Sequence, residues 1–252
     1  MELTNSLRKT IASLNQTKTR CETGWFVAEG TKCVLETVNA FHSECILATR
    51  SWIDLHPEMA HRVTCVSQSD INRMSQLKTP QQVLAVYHIP PQPAIEPDII
   101  RNELVLALDH VQDPGNMGTI IRIADWFGIR TILADDCVDI FNPKVVQATM
   151  GSIARVKVAN VNLPQTLKEL AQLMPVYGTF LNGRNIYEAD LTPNGIIVMG
   201  NEGKGITAEV AETVTSPLFI PPYPGDSPTA ESLNVGVATA VTVAEFRRRI
   251  IE

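Results

Sequence analysis

The chain has 252 residues, of which 44% are apolar and 19% charged, with a formal net charge of −6. That length holds one large or two small domains, and that composition excludes a disordered or fibrous chain. No run approaches the roughly 18 consecutive apolar residues of a membrane span, and residues 1–20 lack the apolar centre of a secretory signal.

The acidic balance speaks mildly against nucleic acid, which is normally gripped by clustered Lys and Arg. Its distribution softens that reading: residues 1–98 carry 9 basic and 10 acidic side chains, against 12 and 17 in residues 99–252. Near the start, Arg8, Lys9, Lys18 and Arg20 face only Glu2. This reads either as a basic arm or as a solvated terminus. Cys21, Cys33, Cys45, Cys65 and Cys137 are too scattered for a CxxC site and odd in number, so reduced thiols in the cytoplasm are expected.

Along the chain, residues 31–41 predict a helix, 45–48 a strand, 70–77 a helix and 83–87 a strand, a small α/β module. Residues 89–97 (IPPQPAIEP) contain four prolines, which can continue neither a helix nor a central strand. The expected division is therefore a front domain over 1–92, a linker over 93–101 and a second domain over 102–252. In the latter, 104–108 is a continuous apolar run, the pattern of a strand buried on both faces. A turn at 113–116 leads into a helix through Phe127. Then come a strand at 131–134, a helix at 143–153 opened by proline, a strand at 155–159 and a helix at 167–173. Strands at 176–181 and 196–199 and a short one ending at Ile220 complete the pattern. Such alternation implies a parallel sheet covered on both faces. A last helix, 230–250, is apolar almost all the way round, and such a helix is buried in a core or a subunit interface. A dimer is expected.

Ligands of parallel α/β sheets sit at the carboxyl ends of strands, and three loops there carry suggestive residues. The first holds Asn116, Gly118 and Arg122 at the entry of a helix, whose amino end suits an anion. The second, Gly200-Asn-Glu-Gly-Lys-Gly205, has three glycines in six positions, so the backbone can approach a ligand closely. Neither a dinucleotide fingerprint nor a P-loop is present, because Lys204 lacks a following Ser or Thr. The third runs from Ile220 and Pro221 to Ser232-Leu-Asn-Val-Gly236, placing Ser232 and Asn234 in the first turns of the last helix. Singly, Asn116 and Asn234 read equally as caps or turns.

In this order and spacing the three loops closely resemble the signature motifs of the SpoU (TrmH-like) branch of the SPOUT methyltransferases. The first motif, N-x-G-x-x-x-R, is matched by Asn116, Gly118 and Arg122. The second, G-N-E-G-x-G, is matched from Gly200 to Gly205, and the third by Ile220, Pro221 and Ser232 to Val235. Residues 142–152 (NPKVVQATMGS) resemble the family's linking helix and 24–30 (GWFVAEG) its substrate-binding domain. The stretch between Pro221 and Ser232 is longer than in many members, and Gln147 stands where an arginine is common.

The resemblance implies an α/β fold: a SPOUT-type parallel sheet with a trefoil knot near the carboxyl end, preceded by a small α/β domain that binds RNA substrate. It implies S-adenosylmethionine-dependent methylation of a ribose 2′-hydroxyl in structured RNA, rRNA before tRNA, by a homodimer without metal. Carried over by motif, the catalytic set is Arg122, Asn116, Glu202, Ser232 and Asn234. The cofactor set is Thr179, Gly200, Gly203, Ile220 and Leu233. Arg122 serves either as the base or, since guanidinium holds its proton to a pKa above roughly 12, as a cation stabilising the developing alkoxide. Two other classes are weighed: an inactive RNA-binding protein on the same fold, which would fail to bind the methyl donor, and a nucleotide-binding oxidoreductase, which would bind NAD.

Overall fold

The computed structural model describes residues 3–223 and 230–249; residues 224–229 of the long proline-rich loop, and Ile250 of the expected last helix, lie outside the described residues. Two units form, one within Met1–Pro91 and Asp139–Arg155, the other within Gln92–Val138 and Val156–Glu252.

In the first unit, helices α1 (Asn5–Ala12) and α2 (Thr17–Thr23) precede strand β1 (Trp25–Glu29). Then follow α3 (Thr31–Thr37), β2 (Ser43–Ala48), α4 (Arg50–Leu55), β3 (Thr64–Cys65), α5 (Gln68–Met74) and β4 (Val83–His88). The strands order as β1-β4-β2-β3, antiparallel except for β2 with β3. Successive side chains of a strand point to opposite faces, and the sheet feeds two cores accordingly. Phe26, Ala28, Ile46, Ala85 and Tyr87 enter one, and Val27, Cys45, Leu47, Leu84 and Val86 the other.

The start of the chain forms neither a basic arm nor a solvated terminus, since Ile11, Leu14 and Arg20 are buried. Arg20 is 1% exposed; it donates from Nε to Asp139 and from Nη1 to the Leu14 carbonyl, each at 2.8 Å. Burying a guanidinium demands such partners. Arg8 pairs with Asp70 at 3.0 Å, so only Lys9 and Lys18 remain outside. Residues 5–12 are helical because Thr4 caps α1 and Ile11 is buried against the second core.

The second unit takes α6 (Pro97–Ile100), β5 (Leu104–Asp109), α7 (Pro114–Trp126) and β6 (Thr131–Asp135). The chain contributes α8 (Pro143–Thr149) to the first unit, then resumes with β7 (Lys157–Asn160), α9 (Leu163–Leu170), β8 (Val176–Asn185) and β9 (Gly195–Met199). It ends with α10 (Ala208–Ala211), β10 (Ser216–Phe219) and α11 (Val235–Arg248). All six strands run parallel in the order β10-β8-β9-β5-β6-β7. Every residue of the central β5 is buried. Val105 and Ala107 share a core with Leu163, Leu167 and Leu170 of α9, while Phe246 of α11 packs edge-on against Tyr177 of β8 at 4.8 Å.

Three expected elements change. The helix expected over 143–153 stops at Met150, which is left-handed at φ 51°, followed by Gly151 at φ 97°. Val146 and Ile153 then insert beside Phe26 and Tyr87 in the first unit's core. Helix α9 starts at Leu163 because Asn162 accepts from the Gln165 N–H at 3.0 Å, an N-cap ahead of the expected start. Helix α11 starts at Val235, capped by Asn234, so Ser232 and Asn234 precede the helix rather than sit in its first turns. Nor is it buried all round: Val235, Thr239, Val243 and Phe246 are buried, but Val237 is 50% exposed.

Candidate active site

Because the sheet is parallel, β5, β9 and β10 deliver their carboxyl ends to one edge. Beyond β5 the chain turns through His110 to Asp113, whose side chain accepts the Asn116 N–H at 2.8 Å and caps α7. Pro114 in the first turn has no N–H to leave unsatisfied. Beyond β9 comes Gly200. A Cβ there would meet the Gly205 carbonyl carbon at 2.2 Å and the Ile206 nitrogen at 2.3 Å, since the loop closes on itself through paired Asn201 and Gly205 main chains. Only glycine fits. Gly205, at φ 72°, needs the left-handed region. Asn201 fills the loop: its Oδ1 accepts the N–H groups of Gly203 and Lys204, both at 3.0 Å.

The three loops are joined by one chain of side-chain hydrogen bonds. Asn234 Oδ1 is committed to the Gly236 and Val237 N–H groups, at 3.0 and 3.3 Å. Its amide orientation is thereby fixed, and Nδ2 donates to Asn116 Oδ1 at 2.9 Å. Asn116 must then turn its own Nδ2 to Glu202 Oε1, at 3.0 Å, where the Asp113 N–H also donates at 3.2 Å. The polarity runs one way, from helix cap to carboxylate. Burial alone would raise the Glu202 carboxyl, but hydrogen bonds from the Asn116 side chain and from main-chain N–H groups hold it below the ordinary 4.5. Glu202 is therefore an acceptor at neutral pH, as the chain requires.

The network contains Asn116, Glu202 and Asn234 and leaves out two expected members. Ser232 is exposed and has no hydrogen bond among the described residues. Arg122 is exposed too, and among the described residues it meets no acceptor. It lies one turn beyond Gly118 on the same stripe of α7, and helical side chains lean back over the preceding turn. Among the residues expected to meet the cofactor, Thr179 Oγ1 reaches the Val198 carbonyl at 3.5 Å, Ile220 is half-buried and Leu233 is 50% exposed. Among the described residues the main-chain N–H groups of Ile220 and Leu233 meet no protein acceptor. Gly203 faces open space, its nearest neighbour being Asn201 Oδ1 at 3.8 Å from a built Cβ. These are features of a cradle for a ligand recognised through backbone groups.

Sequence reasoning missed Asp109, His110, Asp113 and Asn201. Asp113 was legible as an acidic cap before proline. Asp109 was hidden at the end of an apolar run, yet it is fully buried and accepts the Thr207 N–H at 2.7 Å. Among the described residues no cluster of three or more His, Cys, Asp or Glu could hold a metal ion, and no helix is long and apolar enough to cross a membrane.

A doubly covered parallel sheet with three polar loops locked together at its carboxyl edge is a ligand-binding α/β architecture. Residues 103–244 match the SpoU rRNA methylase family, and residues 5–85 match the MRM3-like substrate binding domain. The chain belongs to the SpoU rRNA methylase family. Over 239 residues it is 35% identical to the 23S rRNA (guanosine(2553)-2′-O)-methyltransferase RlmP of Bacillus subtilis, covering 93% of each chain. A solved TrmH-family RNA methyltransferase structure from Porphyromonas gingivalis superposes with a TM-score of 0.86 at 38% identity, covering 99% of this chain and 100% of that one. An rRNA methyltransferase from Sinorhizobium meliloti with bound AdoMet gives 0.85 at 30% identity, covering 100% and 98%.

Proposed function

We propose that this chain transfers the methyl group of S-adenosylmethionine to a ribose 2′-hydroxyl of ribosomal RNA. The observation that carries the reading is the Asn234–Asn116–Glu202 chain, which ties together the three motif loops at the strand ends. The family supplies the reaction class, and relatives that methylate 23S rRNA support the substrate class.

The residues present fit S-adenosylmethionine. The glycine loop offers open backbone at Gly203, the N–H groups of Ile220 and Leu233 are free of protein acceptors among the described residues, and Thr179 borders the same strand end. When bound, the sulfonium supplies an activated methyl group, so the protein's task is to place and activate the ribose oxygen. Holding two reactants in line can lower a barrier by several kcal/mol. Arg122, free of ion pairs among the described residues, grips the phosphate beside that ribose and stabilises the oxygen as its proton leaves. Asn116 is held by Glu202 and Asn234, and its second amide N–H remains to orient the sugar.

The reading extends to a homodimer in the cytoplasm. Trp126 on α7 is 86% exposed, and Val237 and Leu233 at α11 are each 50% exposed; a second copy covering them supports assembly. Five free thiols suit a reducing compartment. Ribose-methylation mapping of rRNA from cells lacking the protein, with transfer of labelled methyl groups to that rRNA in vitro, tests the function. Unchanged methylation maps and no transfer would count against it. Sedimentation of the wild type and of Trp126→Glu tests the dimer: the first sediments as a dimer, the second as a monomer.

A further inference from the structure

His110 and Asp136 both have left-handed backbones without being glycine, at φ 59° and 43°. They follow the adjacent strands β5 and β6, and residues of this kind persist only where surroundings hold them. His110 is held on every side. Its N–H donates to the Asp135 carbonyl at 3.0 Å. Ring atom Nδ1 lies 2.6 Å from Asp109 Oδ1, and Nε2 lies 3.4 Å from Asp136 Oδ2. Its carbonyl accepts from Asn201 Nδ2 at 2.8 Å. Asn201 is the side chain whose other end shapes the glycine loop by accepting the Gly203 and Lys204 N–H groups.

Both ring nitrogens therefore face carboxyl oxygens. A neutral imidazole has one donor and one acceptor, so one of its nitrogens would oppose a carboxylate lone pair. Nδ1 makes the hydrogen bond, to Asp109, and Nε2 stands at ion-pair distance from Asp136, so a protonated ring is attracted to both carboxyl groups and a neutral one is not. We propose that His110, as an imidazolium clamped between Asp109 and Asp136, is a positioning residue that sets the glycine-rich loop for S-adenosylmethionine, so that cofactor affinity weakens as the ring loses its proton. The proposal rests on the methyltransferase reading above.

The charged groups facing the ring agree with it. Asp109 comes from β5, and Asp135 and Asp136 from the end of β6. The hydrogen bond to Asp109 raises the imidazole above its ordinary 6.5, against some loss from burial, and the charges of Asp109, Asp136 and Asp135 add to the rise. Gln112 reinforces the turn by donating to the Asp136 carbonyl. A pKa raised in the folded state means the clamp is complete below the ordinary value and is lost as pH rises through the raised one.

The test uses S-adenosylhomocysteine, the chemically stable product, and the full chain. Calorimetric affinity is measured between about pH 6 and 8.5 for the wild type, His110→Asn and His110→Gly, both residues that tolerate positive φ. Wild-type affinity should fall by about five-fold or more over that range, while both variants stay flat at the weaker, alkaline value. In parallel, the His110 ring is titrated by NMR in the wild type, a readout that needs no variant to fold. Equal pH slopes in all three proteins, or a His110 midpoint at or below the ordinary value, overturn the proposal. Absence of binding by the wild type at every pH instead strikes at the methyltransferase reading, while the NMR midpoint still decides the clamp.

Discussion

Replacing Asn234 by Ala and by Asp separates the two tasks of its side chain. Oδ1 caps α11 through the Gly236 and Val237 N–H groups, and Nδ2 donates to Asn116. Alanine removes both. Loss of an N-cap costs about 1 kcal/mol and loss of a neutral hydrogen bond about 1 more, so Asn234→Ala destabilises by about 2 kcal/mol. Aspartate caps as well as asparagine, and its charge suits the positive end of a helix. Stability of Asn234→Asp should therefore stay within about 0.5 kcal/mol of wild type. An aspartate cannot donate, however. Asn116 then either leaves its oxygen unpaired or turns over and presents it to the Glu202 carboxylate. Both outcomes displace the pair, and a displacement of about 1 Å costs roughly 10²-fold in rate. Urea denaturation measures the first effect, and single-turnover transfer of labelled methyl groups to rRNA the second. Both variants should be slow and only the alanine variant unstable. An aspartate variant with wild-type transfer would refute the one-way polarity of the network.

Arg122→Lys and Arg122→Ala should each lose nearly all transfer yet bind S-adenosylmethionine normally by calorimetry, because lysine lacks the planar fork; activity kept in lysine, lost in alanine and rising with pH would point to a general base instead. Gly203→Val should fold, since its φ is not left-handed and a Cβ has room, but should weaken cofactor binding by about ten-fold or more through blocked backbone approach; unchanged affinity would remove Gly203 from the site. Gly200→Ala should fail to fold, because its Cβ would overlap the Gly205 main chain, and a normal melting curve would contradict that. Hydrogen bonds from Arg248 and Arg249 hold the Glu245 carboxyl below its ordinary 4.5 despite some burial. Its stabilisation is present above that value and is lost as pH falls through the lowered one, so Glu245→Gln should be less stable at neutral pH with a shallower acid limb. Parallel acid curves would show that the ion pairs are neutral to stability.

The sequence by itself determined the layers and the motif loops. Period and punctuation are local: the apolar run of β5, the turn at 113–116 and the glycines of 200–205 state their conformations without reference to distant residues. The same locality explains what it left undecided. Arg20 reads as a surface cation until Asp139, far along the chain, is brought to it. Residues 143–153 read as a helix of the second domain, but Val146 and Ile153 are buried with Phe26 in the first. Ser232 and Asn234 belong to one motif, yet only Asn234 caps a helix and joins the network, because the start of α11 decides which side chain faces Asn116. His110 carried no signal at all; its place depends on a left-handed backbone and on carboxyl groups from two strands. Tertiary structure alone decided these points, since burial, ion pairing and the polarity of a hydrogen-bond chain are properties of residues far apart in sequence and adjacent only after folding.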